Sequence, residues 1–443
     1  MTVVERVRVH PGTLAGTVRV PGDKSLSHRA LMLGALVGER VEVTGLAPSG
    51  DVAATAGALR TMGATVELAL DAAGGLSGHV RGPLREPDDV LDCGNSGTSL
   101  RLLAGIAAGL DGVSVLTGDA SLRRRPVDRI RRPLEAMGAR IDARAGATVP
   151  PLVVRGGALR GIRYDSPVAS AQVKSCVLLA GLAADGPTTV ASPLRSRDHT
   201  ERMLEHLGLP VASVTTEDGR EEVTVTPGPL RAAPLAVTGD PSSGAFWMVA
   251  GALGDDAVSV TDLNANPTRF GVVATLLELG ADVTLTQRGP RTGEPVADVR
   301  VAASELAGGV LAGVGVVDAL DELPILALAG ARSRDGLEVR DAAELRVKES
   351  DRIASLAAAF RALGMAFEER DDGYLVPGGQ RPGPGTVDAA GDHRIAMTAA
   401  IAATVATGPV EITGFGAVSS SYPSFLDDLA ALGGRVEVLA SRT

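Results

Sequence analysis

The chain has 443 residues, 45% of them hydrophobic, 2% aromatic, and a formal net charge of −10. That length exceeds what one hydrophobic core organises and predicts two domains or more. The apolar content excludes a disordered chain, and the acidic balance with few rings excludes a nucleic-acid binder, which needs basic stripes and stacking platforms.

In chain order, the opening stretch mixes charged and apolar residues and predicts no leader peptide. No apolar run reaches membrane-spanning length, so a soluble, cytoplasmic protein is expected. Cys93 and Cys176 are the only cysteines, which leaves no disulfide framework and no CxxC metal site. The six histidines are scattered without ligand spacing, and no metal is expected.

The elements then repeat. The pattern apolar-x-x-apolar-Gly closes a predicted helix at 59–63, 134–138, 204–208, 276–280, 360–364 and 429–433, with successive glycines 75, 70, 72, 84 and 69 residues apart. Glycine there predicts a left-handed helix terminator. Alternating stretches such as 64–68 and 281–285 follow as predicted strands. A second predicted helix recurs with a polar head and an Ala/Leu-rich body. Lys24, Asn95, Ser170, Ser242, Asp321 and Asp392 mark its heads, spaced by 71, 75, 72, 79 and 71 residues. Two helices and several strands per copy, six times over, predict a repeat protein with three copies per domain. The bodies of the second helix are apolar on most faces and belong inside, with sheets outside.

Residues twelve before each repeat glycine head the first helix type: Asp51, Pro126 with Arg125, Ser196 with Arg197, Thr268 with Arg269, Arg352 after Glu349, and Ser421 with Ser420 and Tyr422. Helix N-termini attract anions, and the cations among or beside these heads are Lys24, Arg29, Arg125, Arg197, Lys348, Arg352 and Arg394. Arginine forks suit phosphate and carboxylate. Asp51, Asp321 and Glu349 stand among them as acid/base candidates. Helix-start Ser, Asp and Asn also serve as plain caps, and Asp51, Ser242 and Asp392 fit that reading equally. Gly22-Asp23-Lys24-Ser25 lacks the glycine spacing of a nucleotide P-loop. His206 and both cysteines read as structural.

The stretches 21–29, 94–98, 125–126, 170–172, 196–199, 321–322, 345–352 and 392–394, in this order and spacing, resemble the enolpyruvyl transferases over nearly the whole chain. The resemblance implies a two-domain α/β fold, an inside-out barrel of six βαβαββ-type repeats. It puts residues 1–21 and 239–443 in one domain and 22–238 in the other, with the active site in the cleft between them. It implies transfer of the enolpyruvyl group of phosphoenolpyruvate to the 5-hydroxyl of shikimate 3-phosphate, giving 5-enolpyruvylshikimate 3-phosphate and phosphate in aromatic amino-acid biosynthesis. No cofactor is implied, and a monomer is expected.

Carried over by motif, Asp321 is the expected base, and Glu349 handles the methylene proton with Lys24 as a rival acid. Lys24, Asn95, Gly97, Arg125, Gln172, Arg352, His393 and Arg394 are expected on phosphoenolpyruvate. Lys24, Ser25, Arg29, Ser170, Ala171, Gln172, Ser196, Arg197, Asp321 and Lys348 are expected on shikimate 3-phosphate. Ala171 replaces a second serine, Glu344 an asparagine, and Ser420 a lysine of the better-known branch, with Arg197 a candidate substitute cation. Gly97 is kept where glyphosate-insensitive relatives carry Ala, while Leu102 replaces a nearby Pro. Two alternatives remain: UDP-N-acetylglucosamine as acceptor, and a non-catalytic scaffold. The first is disfavoured by Ser25 after Lys24 and by the absence of a cysteine in 118–124.

Overall fold

A computed structural model describes residues 4–440. The chain divides into two compact units. One takes the residues up to Pro21, Thr238–Gly289 and those from Pro295 onward; the other takes Gly22–Val237 and Pro290–Glu294. The second boundary falls one residue earlier than expected, and 290–294 joins the unit that the sequence did not assign it to. Local bonding explains that placement. Buried Glu294 lies 2.8 Å from the ring of buried His199, and the Thr292 hydroxyl bonds both the Ala236 amide (2.8 Å) and carbonyl (2.9 Å).

Among the described residues, each unit has three four-stranded sheets of one design. The sheet built on Leu91–Asp92 serves as the pattern. That strand runs parallel to Gly112–Thr117, which pairs antiparallel with Val149–Gly156, and this pairs antiparallel with Arg140–Ala143. The repeat is therefore strand, helix, strand, helix, then a hairpin whose return strand enters the sheet interior. Some repeats draw strands from far along the chain. Leu235–Ala236 pairs with Val41–Leu46 and completes the first repeat. Gly16–Val18 pairs with Val258–Asn264. Arg6–His10 fits between Val410–Thr413 and Arg435–Val438. The residues before Pro21 thus supply strands to two sheets of the discontinuous unit.

Each unit has its own apolar core. The six head-bearing helices, Lys24–Val37, Gly97–Ala108, Ala171–Gly181, Pro241–Leu253, Leu323–Arg332 and His393–Thr404, form its interior. Every residue of His393–Thr404 is buried, and so is all of Gly97–Ala108 except Thr98. The other helices are amphipathic: Asp128–Met137 buries only Ile130, Pro133, Leu134 and Met137, one stripe at helical period. Strands bury alternate residues, as in Arg6–His10, while Val211–Thr215 is largely exposed. Helices are inside and sheets outside, as the apolar bodies predict. A Cβ on Gly105 would collide with the Cys176 carbonyl, so Gly97–Ala108 and Ala171–Gly181 can pack this closely only with glycine there.

The terminators hold without exception. Gly63, Gly138, Gly208, Gly280, Gly364 and Gly433 have φ of 92°, 117°, 83°, 90°, 73° and 101°, the region that costs glycine least. The predicted helix starts hold less well. Gly50–Thr61 and Arg352–Ala362 begin at the expected place, but Asp128–Met137, His199–His206, Gly271–Glu278 and Phe425–Ala431 begin later. At two of these a proline forces its predecessor out of the helical region, Pro126 after Arg125 and Pro423 after Tyr422. The polar heads there sit in the loop leading to the helix.

Candidate active site

In the discontinuous unit the site residues gather on Arg352, the first residue of its helix and 1% exposed. Asp351 caps that helix by accepting from the Ala354 amide at 3.1 Å and is held by Arg346 at 2.8 Å. This fixes the start of the helix. Arg352 then uses its whole fork: Nε donates to Asp392 at 2.8 Å, Nη1 to Asp321 at 3.3 Å, and Nη2 to Glu349. Lys348 Nζ lies 3.2 Å from Glu344 and 3.9 Å from Asp321, and Arg394 lies 3.9 Å from the other Asp321 oxygen. Asp321 is thus the focus of three cations from two segments.

The cap alternative is now decided residue by residue. Asp392 is a cap, accepting from the Arg394 amide at 2.9 Å, yet it also binds Arg352 and the Ser350 hydroxyl. Asp321 is not at the N-cap position of Leu323–Arg332; Glu322 is. Ser242 is tied by Asp240, which caps Pro241–Leu253, and by buried Glu322 and Arg269. It serves the interior. Burial pushes the Asp392 carboxyl up, but Arg352 and His393 outweigh that and hold it below its ordinary value. Burial lowers the Arg352 guanidinium, and its three carboxylates more than reverse that. Ser420, where the better-known branch has lysine, only closes its own turn on the Ala417 carbonyl at 2.8 Å.

In the other unit Asp23 caps Lys24–Val37 by accepting from the Leu26 amide at 2.9 Å. Lys24, part-exposed beside it, pairs with Asp51 at 3.0 Å. Asp51 is not the cap of its helix; Ser49 is. Asn95 accepts from Arg125 Nη2 at 2.7 Å and donates to Asp119 at 2.6 Å, so two of the expected phosphoenolpyruvate ligands are in direct contact. Gln172 accepts from Arg101 at 2.8 Å and donates to the Thr98 hydroxyl at 3.1 Å. A Cβ on Gly97 would sit 2.6 Å from Arg101 Nη1 and 3.4 Å from Arg125 Nη1. Gly97 therefore makes room for the Arg101 guanidinium.

Arg29 is 3% exposed and anchored to Thr200 (2.8 Å), the Ser25 carbonyl (3.0 Å) and Ser175 (2.7 Å). Burial is the largest cause of a pKa lowered to about 10. Ser170 occupies the N-cap position of Ala171–Gly181 without a side-chain cap bond. Ser196 is 2% exposed, and its Oγ has no hydrogen-bond partner among the described residues. Such a group is costly unless something else binds it. Arg197, next to it, is half-buried.

His206 bonds the Pro234 carbonyl at 2.9 Å. Both cysteines are buried, and burial pushes the Cys176 thiol up to about 12. Among the described residues no cluster of His, Cys, Asp and Glu could hold a metal ion, and no helix is long and apolar enough to cross a membrane. Arg101 is the residue that motif reading missed. Its signal was present: an arginine one helical turn after Gly97 in an otherwise apolar body.

Residues 9–429 match the family description "EPSP synthase (3-phosphoshikimate 1-carboxyvinyltransferase)". The chain belongs to the EPSP synthase family. A 3-phosphoshikimate 1-carboxyvinyltransferase from Synechococcus sp. is 45% identical over 95% of this chain and 97% of its own length. One from Anaeromyxobacter sp. is 48% identical over 94% and 95%. A solved EPSP synthase from Acinetobacter baumannii superposes with a TM-score of 0.85 at 38% identity, covering 98% of this chain and all of that one. The enolpyruvyl transferase NikO from Streptomyces tendae, at 20% identity and a TM-score of 0.77, shares the fold. EPSP synthase family membership makes the chain a transferase, and the scaffold alternative falls.

Proposed function

We propose that this chain joins phosphoenolpyruvate to the 5-hydroxyl of shikimate 3-phosphate and releases phosphate. The observation that carries this reading is Arg352 bridging Asp321 and Glu349, the expected base and the expected methylene acid, with Lys348 and Arg394 beside them. In this reading Asp321 takes the 5-hydroxyl proton as that oxygen bonds to C2 of phosphoenolpyruvate. Glu349, or Lys24, delivers a proton to C3. The tetrahedral adduct then loses phosphate and a C3 proton, which restores the enol ether. Both substrates are anions, which suits Arg125, Arg352, Arg394 and the orphaned Ser196 hydroxyl. The expected ligands come from both units, Lys24, Arg29 and Arg125 from one and Arg352 and Arg394 from the other. Action in the cytoplasm as a monomer completes the reading.

The test is phosphate release from phosphoenolpyruvate with either shikimate 3-phosphate or UDP-N-acetylglucosamine. Release with the first alone is expected. Release only with the sugar nucleotide would overturn the acceptor, and silence with both would overturn the reaction.

A further inference from the structure

The helix Ala171–Gly181 carries a lysine in its apolar body, Lys174, whose side chain is 0% exposed. Its ammonium lies 2.7 Å from Glu201 and 2.9 Å from Glu221. One cation between two buried carboxylates leaves one negative charge over, and burial pushes the Glu201 carboxyl up despite Lys174. Apolar side chains of the same volume often serve stability as well as a buried ion cluster or better. Core packing alone therefore gives no account of these three residues.

The backbone gives one. Lys174 Nζ donates to the Ser196 carbonyl at 3.2 Å, and Glu221 accepts from the Ser196 amide at 3.3 Å. Both main-chain polar groups of Ser196 are gripped from the interior, and its hydroxyl alone is left without a partner among the described residues. The same two segments also meet at Arg29, through Ser175 and Thr200. One helix body thus fixes the segment leading into His199–His206.

We propose that Lys174, together with Glu221, is the positioning residue that presents the Ser196 hydroxyl to the phosphate of shikimate 3-phosphate. The inference rests on the proposed acceptor and makes Lys174 selective for that substrate over phosphoenolpyruvate, because the grip acts on Ser196 and not on Arg125 or Arg352. Lys174 touches no substrate itself.

The test uses steady-state kinetics on the whole chain. Lys174→Met leaves two buried carboxylates and risks misfolding, so Lys174→Met/Glu201→Leu accompanies it. The pair removes one charge of each sign and leaves Glu221 on the Ser196 amide. In the folded double variant, KM for shikimate 3-phosphate should rise at least tenfold, with KM for phosphoenolpyruvate within twofold of the parent. Lys174→Arg, which keeps a donor, should recover part of the loss. A shikimate 3-phosphate KM within twofold of the parent would overturn the inference. So would equal rises in both KM values, the mark of a merely structural cluster. If the parent itself turns over no shikimate 3-phosphate, the functional reading fails first; turnover by the parent with an unshifted variant sinks the positioning role alone.

Discussion

Arg29 and Arg352 are the same residue type at nearly the same burial, one in each unit, and their surroundings move them in opposite directions. Arg29 donates to two hydroxyls and a carbonyl, and its pKa falls to about 10. Arg352 donates to three carboxylates and is held above its ordinary value. Neutral partners orient a guanidinium and leave its positive field for an arriving anion. Carboxylates offset part of that field, and the arginine also sets the spacing of the acids around it. The comparison separates a guanidinium oriented by neutral partners, Arg29, from one that also ties three acids together, Arg352.

The sharpest way to break that division is Glu349→Gln. It keeps the shape beside Arg352 but removes the titratable oxygen, so kcat should fall by about 10²- to 10⁴-fold with substrate binding retained. Unchanged turnover would move the acid role to Lys24. Next comes paired truncation. Arg352→Met takes the shared cation away from three carboxylates and should cost about 3–5 kcal/mol in a denaturant titration. Arg29→Met leaves Thr200 and Ser175 still bonded to each other at 2.8 Å, and should cost about 1–3 kcal/mol. Equal losses would erase the contrast.

Acid should find the two units at different pH. His28, beside Arg29, is fully buried, and burial is the largest cause of a pKa lowered from 6.5 to about 3. A lowered folded value means that its stabilisation is full above 6.5 and is lost as pH falls toward 3, at about 1.4 kcal/mol per pH unit for one proton. Asp392, also lowered, loses its stabilisation only below its ordinary 3.8. Hydrogen exchange near pH 5 should therefore show Gly22–Val237 weakening first, and His28→Gln should remove that slope. A slope that survives the substitution would assign the sensitivity elsewhere. The smallest effect is expected from Gly97→Ala: the added methyl displaces the Arg101 fork beside Arg125 and should raise KM for phosphoenolpyruvate a few-fold. The melting temperature should barely move.

Much of this was legible in the sequence because the repeat is written in backbone chemistry. Six glycines in a left-handed conformation and six polar helix heads are local requirements, and each leaves a mark within a few residues. The charged heads at Lys24, Asp321, Arg352 and Arg394 were legible for the same reason. What was hidden lies inside helix bodies, where the period gives no warning. Arg101 meets Gln172 across 71 positions and Lys174 meets Glu221 across 47, and only the folded chain shows why a cation belongs there. The late helix starts at Asp128 and Phe425 were readable from Pro126 and Pro423, but uniform spacing overrode that local signal.

The strand Arg6–His10 has a further meaning for how the protein is made. It leaves the ribosome long before its neighbours, Val410–Thr413 and Arg435–Val438. Nearly all of the unit built on Gly22–Val237 can fold while synthesis continues, whereas the other must wait for its final strand with Val7 and Val9 uncovered. Nascent chains stalled before residue 410 should hold one finished unit and one sticky, unpaired strand, which is where a chaperone would be needed.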